Sequence, residues 1–368
     1  MEPDILTRTE DHSLDYAKMG AFIAGLQRTN GEIPWSEGGK TDPWDHVESA
    51  MGLGVAGYLK EAERAYEWMA GTQLADGSWW AAYRDGVPED RTRDSNFSSY
   101  IAVGAFHHYL LTRDVAFLKD MWPVLSAGVD YALDLQAPTG EIYWARNAEG
   151  VIDRMALLAG SSSVYMSIKC ALAIASLLGR DRPDWRRAFE KLGTTIRNFP
   201  NRFNMIKSRY SMDWYYPVLC GALTGDDAGR RIDKSWDTFV EPGWGVRCVS
   251  DQPWATMAET SELVLALAAV ERYEKARLVF SYLEDKKYDD GTYWMGVTFP
   301  DAVVWPEEKT SWTAASVLLA DDALNNRTPA SCLFNHNFWR RMEIAGYLDS
   351  PHQDRYSDSV GQIEQIGG

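Results

Sequence analysis

Two pairs of acidic residues stand out by type and spacing. Asp45 and Glu48 lie three apart in Asp42-Pro43-Trp44-Asp45-His46-Val47-Glu48, and Glu259 and Glu262 repeat that spacing. A shift of 214 residues carries the first pair onto the second and Asp76-Gly77 onto Asp290-Gly291. Residues three apart share one face of a helix. Asp42 followed by Pro43 has the form of a helix start. Carboxyl groups held on equivalent helices can act across a glycosidic bond. A protonated one donates to the leaving oxygen, and an ionised one activates water or attacks the anomeric carbon. A helix N-terminus favours the ionised form, so the acid needs burial or a neighbouring carboxylate to keep its proton. The i, i+3 spacing supplies such a neighbour. Asp45 is expected as general acid and Glu262 as general base, with the two labels interchangeable. Glu48 and Glu259 are expected to tune them or to bind sugar. The plainer alternative is that Asp45 serves the helix dipole and that Glu259 and Glu262 lie on a solvated face. The apolar run Leu263-Val264-Leu265-Ala266-Leu267-Ala268 argues against a solvated face.

Other helix starts carry polar and aromatic residues of the kind that hold sugars. Arg93, Asp94 and Asn96 precede or open one; Asp213 and Trp214 open another. Trp44, Trp79, Trp80, Tyr143, Trp144 and Trp294 add ring faces in or next to loops. Aromatic faces stack on sugar C–H groups, while carboxylates, Asn and Arg pair with hydroxyls. The same aromatics could also seal the end of a helical barrel. Asp94 fits a helix cap slightly better than a sugar ligand. His46 is one residue from Asp45 and points about 100° away from it on a helix.

The elements that must hold these groups read as helices. Apolar spacing of three and four residues dominates, and strand-like alternation is rare. Helices are predicted over 14–28, 44–59, 61–73, 95–111, 115–135, 160–178, 184–198, 211–223, 225–239, 256–270, 272–285 and 308–322. Links are short after every second helix and long, Gly-rich and aromatic before the others. That alternation predicts an all-α fold, an (α/α)6 toroid of six helical hairpins with its long loops on one rim. The small residues Gly52, Gly54, Ala56 and Gly57 suit a crowded inner ring. No linker-like run divides the chain. One catalytic domain over 1–368 is expected, with 329–368 as a C-terminal extension.

Lys and Arg total 37 against 53 Asp and Glu, a net charge of −16. That disfavours nucleic acid or an anionic membrane as partner. The 16 Trp residues favour a glycan. Cys170, Cys220, Cys248 and Cys332 lack metal spacing and read as reduced thiols. No metal or cofactor is expected. The polar, acidic N-terminus does not read as a signal peptide, and no apolar run reads as membrane-spanning. A cytoplasmic location is therefore expected. The oligomeric state is open, a homodimer included.

Two resemblances add to this reading. Gln73-Leu74-Ala75-Asp76-Gly77-Ser78-Trp79 resembles the QW motif of triterpene cyclases and prenyltransferase relatives, which are α/α toroids. That motif is a turn device, and the Asp-rich catalytic motifs of those enzymes are missing. Asp94-Ser95-Asn96-Phe97-Ser98-Ser99-Tyr100, Asp114-Val115-Ala116-Phe117-Leu118 and Trp122-Pro123 resemble six-hairpin glycosidases of the glucoamylase-like group. Within that group the chain looks most like the actinobacterial hydrolases of methylmannose polysaccharide, cytosolic enzymes that cleave an α-1,4-mannan carrying O-methyl groups. The resemblance implies a glycoside hydrolase acting on an α-linked glycan, with inversion. A cyclase-like or prenyltransferase-like toroid and a non-catalytic glycan-binding toroid are the competing readings.

Overall fold

The structure is a computed structural model, described over residues 14–348. Its helices in chain order are α1 (Tyr16–Leu26), α2 (Pro43–Val55), α3 (Leu59–Thr72), α4 (Ser95–Ser99), α5 (Ile101–Thr112), α6 (Val115–Asp134), α7 (Leu158–Leu177) and α8 (Pro183–Asn198). They continue with α9 (Ser211–Leu219), α10 (Gly225–Lys234), α11 (Trp236–Phe239), α12 (Met257–Ala269), α13 (Tyr273–Ser281), α14 (Ser311–Asn325) and α15 (His336–Ile344). Six of these pack side by side in a closed circuit: α2 on α5, α5 on α7, α7 on α9, α9 on α12, α12 on α14 and α14 back on α2. Each has an outer partner. α3, α6, α8, α10 and α13 back α2, α5, α7, α9 and α12. The sixth pair joins the two ends of the ring, α1 against α14, tied by Tyr16 Oη donating to Asp321 Oδ2 at 2.6 Å. The fold is an all-α toroid, as the alternating links predict.

Inner helices are apolar nearly all round because both faces are covered. Every residue of α12 and almost every residue of α7 is buried. α7 is long and apolar enough to cross a membrane by length and composition, which corrects the expectation that the chain has no such run. Burial within the ring accounts for its composition. Where two inner helices meet closely, the side chain disappears. A Cβ on Gly52 would lie 2.7 Å from that of Ala315 on α14.

A recurring clip stitches the outer helices together. Gln27, Gln73 and Gln136 each follow an outer helix, and each is followed four residues later by a glycine at positive φ. Each glutamine amide donates to that glycine's carbonyl and to a carbonyl on the next outer helix, those of Glu61, Val124 and Ala188 respectively. The QW-like segment is one of these clips. The 214-residue repeat holds at atomic detail too. Asp76 accepts from the Ser78 amide and hydroxyl, and Asp290 accepts from the Thr292 amide and hydroxyl.

The long links are not shapeless. Strands β1 (Ala82–Arg84) and β2 (Val87–Asp90) form a hairpin. β3 (Arg93–Asp94), β4 (Tyr143–Arg146) and β5 (Ile152–Ala156) form an antiparallel sheet. β6 (Val240–Glu241), β7 (Gly245–Arg247), β8 (Trp254–Thr256) and β9 (Gly296–Thr298) form another. β3, β5 and β8 lead directly into α4, α7 and α12, so the sheets set where those inner helices begin. The 329–348 segment, expected as an extension, places α15 on the ring, with Trp339 against Phe106 at 5.5 Å between ring centroids. The remainder of that extension, 349–368, lies outside the described residues.

Candidate active site

α2 begins with Asp42 as its cap, accepting from the Asp45 amide at 2.9 Å. The cap sets the first turn, and the helix period then stacks Asp45 and Glu48 on one face. Asp45 is half-buried; Glu48 is 2% exposed. α12 presents Glu259 and, one turn deeper, Glu262 at 1% exposure. The four carboxyl groups thus form two tiers, Asp45 and Glu259 above, Glu48 and Glu262 below. α2 and α12 flank α14 in the circuit. The lower groups lie close enough for Glu48 to raise the proton affinity of Glu262.

Each tier has its own electrostatics. Burial pushes the Asp45 carboxyl well above the ordinary range, and the neighbouring Asp42 and Glu48 push it further. Both causes favour the protonated form of Asp45. Burial also raises Glu48, to about 8, while the indoles of Trp44 and Trp312 favour its ionised form. Neither indole nitrogen makes a hydrogen bond of normal geometry. Glu262 is raised by burial and then by Glu48, and two phenols oppose that rise. Tyr216 Oη donates to its Oε1 at 2.6 Å, and Tyr215 Oη donates to Oε2. The two phenols favour the ionised form of Glu262, against burial and Glu48, which push its carboxyl well above the ordinary range. Glu259 accepts from the Thr256 hydroxyl.

Trp44 stands over this pair. Its ring meets Tyr216 and Tyr100 at 5.6 Å and Phe97 at 6.1 Å. Trp35 and Trp312 make an edge-to-face pair at 6.1 Å beside it. Trp80, Tyr143, Trp144 and Trp294 lie half-buried in the rim links. Asp94 caps α4 through the amides of Asn96 and Phe97, at 2.7 and 3.1 Å, and burial raises its carboxyl to about 7 against those two donors. Asn96 Oδ1 is buried with no partner. Asp213 accepts from the Ala159 amide at 3.0 Å.

This chain is 48% identical over 312 residues to the MMP endo-(1,4)-3-O-methyl-alpha-D-mannosidase of Mycolicibacterium hassiacum, covering 85% of this chain and 86% of the relative. The chain belongs to that family. It is a glycoside hydrolase, and the paired carboxylates lie in a fold that glycosidases use. A glycosidase variant solved with glucose matches with a TM-score of 0.66 at 14% identity, covering 89% of this chain and all of the other. A D-mannose isomerase matches with a TM-score of 0.65 at 9% identity, covering 85% and 98%. At such identities the likeness carries the fold alone, and an isomerase in the same fold shows that the toroid does not choose the chemistry. No family model matches the sequence.

The structure corrects some of the sequence-based expectations. Trp79 is fully buried and donates through Nε1 to the Met69 carbonyl at 2.9 Å, so it anchors the QW-like clip and cannot meet a sugar. Trp214 is 2% exposed, stacks on Phe239 at 5.2 Å and donates to the Arg231 carbonyl, turned away from the ring centre. Arg93 is committed to Asp76 at 2.7 Å and to the Asn147 carbonyl at 3.0 Å, with Trp80 5.7 Å from its guanidinium. It braces the rim. His46 accepts from the Ile33 amide and donates to the Ala65 carbonyl, and burial lowers it to about 4. It is a neutral strut. Tyr216, Tyr100 and Trp35 were not singled out by sequence. Aromatics inside an apolar helix read as core, and only the acidic residue facing them distinguishes these.

Proposed function

We propose that this chain hydrolyses an α-(1→4)-linked, O-methylated mannan from within the polymer, with Asp45 as general acid and Glu262 as general base. The family membership supports the substrate class and the endo mode. The observation that carries the roles is the asymmetry between the carboxyl groups: Asp45 is crowded by acids that hold its proton, and Glu262 is served by two phenol donors. In the reaction a water oxygen attacks the anomeric carbon and gives its proton to Glu262. The glycosidic C–O bond breaks, and the leaving oxygen takes the proton of Asp45. Attack and departure occur on opposite faces of the sugar, which inverts the anomeric centre. Trp44 and the half-buried rim aromatics offer faces for sugar rings and for methoxy groups. Glu259 and Asn96 offer acceptors for free hydroxyls.

Asp45→Asn and Glu262→Gln keep shape and remove the acid or the base. Each is expected to lower kcat on an O-methylated α-1,4-mannan oligosaccharide by about 10²–10⁴-fold, with the fold intact by circular dichroism. Near-full activity in either variant contradicts that assignment. Loss in Glu259→Gln with activity kept in Glu262→Gln moves the base one turn along α12.

A further inference from the structure

Tyr215 and Tyr216 are consecutive on α9, yet both phenols end on one carboxyl group. Consecutive side chains leave a helix about 100° apart. They converge on a single group only when it lies in the groove between them. α12 packs along α9 and puts Glu262 there. Each carboxyl oxygen takes one phenol proton, at 2.6 Å from Tyr216 and at a short contact from Tyr215. The carboxyl plane therefore cannot turn about its last torsion without losing both donors. Each oxygen retains a second lone-pair direction for water. The phenols themselves are held tightly. Both tyrosines are buried, and Trp44 presses edge-on against Tyr216 at 5.6 Å.

We infer that Tyr215 and Tyr216 are positioning residues that fix the orientation of the Glu262 carboxylate and hold it ionised for proton abstraction, an inference that rests on Glu262 being the base. Donors to the charged form of an acid favour that form. Among the described residues, the other titratable groups beside Glu262 work the opposite way or not at all. Glu48 comes from α2 and Glu259 from α12; Tyr100 sits at the α4–α5 junction, Cys220 follows α9 and Cys248 follows β7. None of these is a cation. The two phenols are thus what opposes burial and Glu48.

The test is the pH profile of kcat/KM for the wild type, Tyr215→Phe, Tyr216→Phe and the double variant, on an O-methylated α-1,4-mannan oligosaccharide. Loss of one donor is expected to move the acid-side limb up by about one pH unit, and loss of both to move it further. Site-specific 3,5-difluorotyrosine at position 216 preserves shape and strengthens the donor, and it is expected to move the limb down. Limbs that coincide with the wild type in all variants, whatever their overall rate, overturn the inference. Azide added to Glu262→Ala separates the two readings. Rescue of turnover with unmoved limbs leaves the base and removes the clamp. Full turnover of Glu262→Ala without azide removes both.

Discussion

Glu48 is the residue whose charge state can be read most simply, because its effect appears in stability as well as in rate. Its carboxyl is raised from about 4.5, the usual glutamate range, to about 8 in the folded protein. Below the unfolded value the group is protonated in both states and contributes nothing. As pH rises towards the folded value, the unfolded chain ionises first, and folding carries a growing penalty. Glu48→Gln removes that penalty. The variant should match the wild type in urea unfolding near pH 4 and exceed it near pH 8, by an amount on the order of a few kcal/mol. Equal differences at both pH values would mean that folding leaves the proton affinity of Glu48 unchanged. At this scale the acidic pairs were legible from spacing alone, because i, i+3 geometry is local. Their partners were not. Nothing in Ser211-Met212-Asp213-Trp214-Tyr215-Tyr216 says which aromatic turns inward, and Trp214 and Tyr216 exchange the roles that sequence suggests. That choice is made by the register of α9 against α12.

Helices were the most legible elements, since each inner helix is long, apolar and opened by a polar or Gly-rich link. The helix expected over 95–111 is nearly one piece; Tyr100 at φ −65°, ψ −20° marks a tightened turn between α4 and α5. α9 ends four residues early, after the internal Pro217, and α14 is shifted by about one turn. The short strands escaped notice because two to five residues cannot establish an alternation. The clip was half legible: Gln73…Gly77 looked like a turn, but its reach to Val124 on α6 belongs to tertiary structure. That reach makes a prediction. Gly77 sits at φ +88°, and a Cβ there would lie 2.3 Å from the Ala127 carbonyl oxygen. Gly77→Ala should destabilise the ring by about 2–3 kcal/mol in urea unfolding. Gly71→Ala, in the open last turn of α3 with nothing within 4 Å, should be neutral or stabilising by up to about 1 kcal/mol. If both substitutions were tolerated alike, the outer-ring clip would not be a structural joint.

At the level of the whole molecule, ring closure was inferred from link lengths but not from any local signal. It depends on α1 meeting α14, and on Ser311 donating to the carbonyls of Trp35 and Pro34. Contacts that far apart leave no trace in periodicity. α15 lies outside the twelve predicted helices for the same reason: Asn335-His336-Asn337-Phe338-Trp339 reads equally as a last helix on the ring or a cover for a neighbouring subunit, and Phe338, Trp339 and Met342 make sense only against a ring already formed. Closure is also what brings the carboxyl groups of α2 and α12 into one place, so the fold and the chemistry share a cause. The proposed reaction therefore requires the two carboxyl groups to act across one bond, as acid and base in a single displacement. Proton NMR of a fresh hydrolysis of an O-methylated α-1,4-mannan oligosaccharide tests this most directly. The β-anomer of the new reducing end should appear first and then mutarotate towards the α-form. An α-anomer formed first would show retention through a covalent intermediate and contradict the assignment of Glu262 as a base.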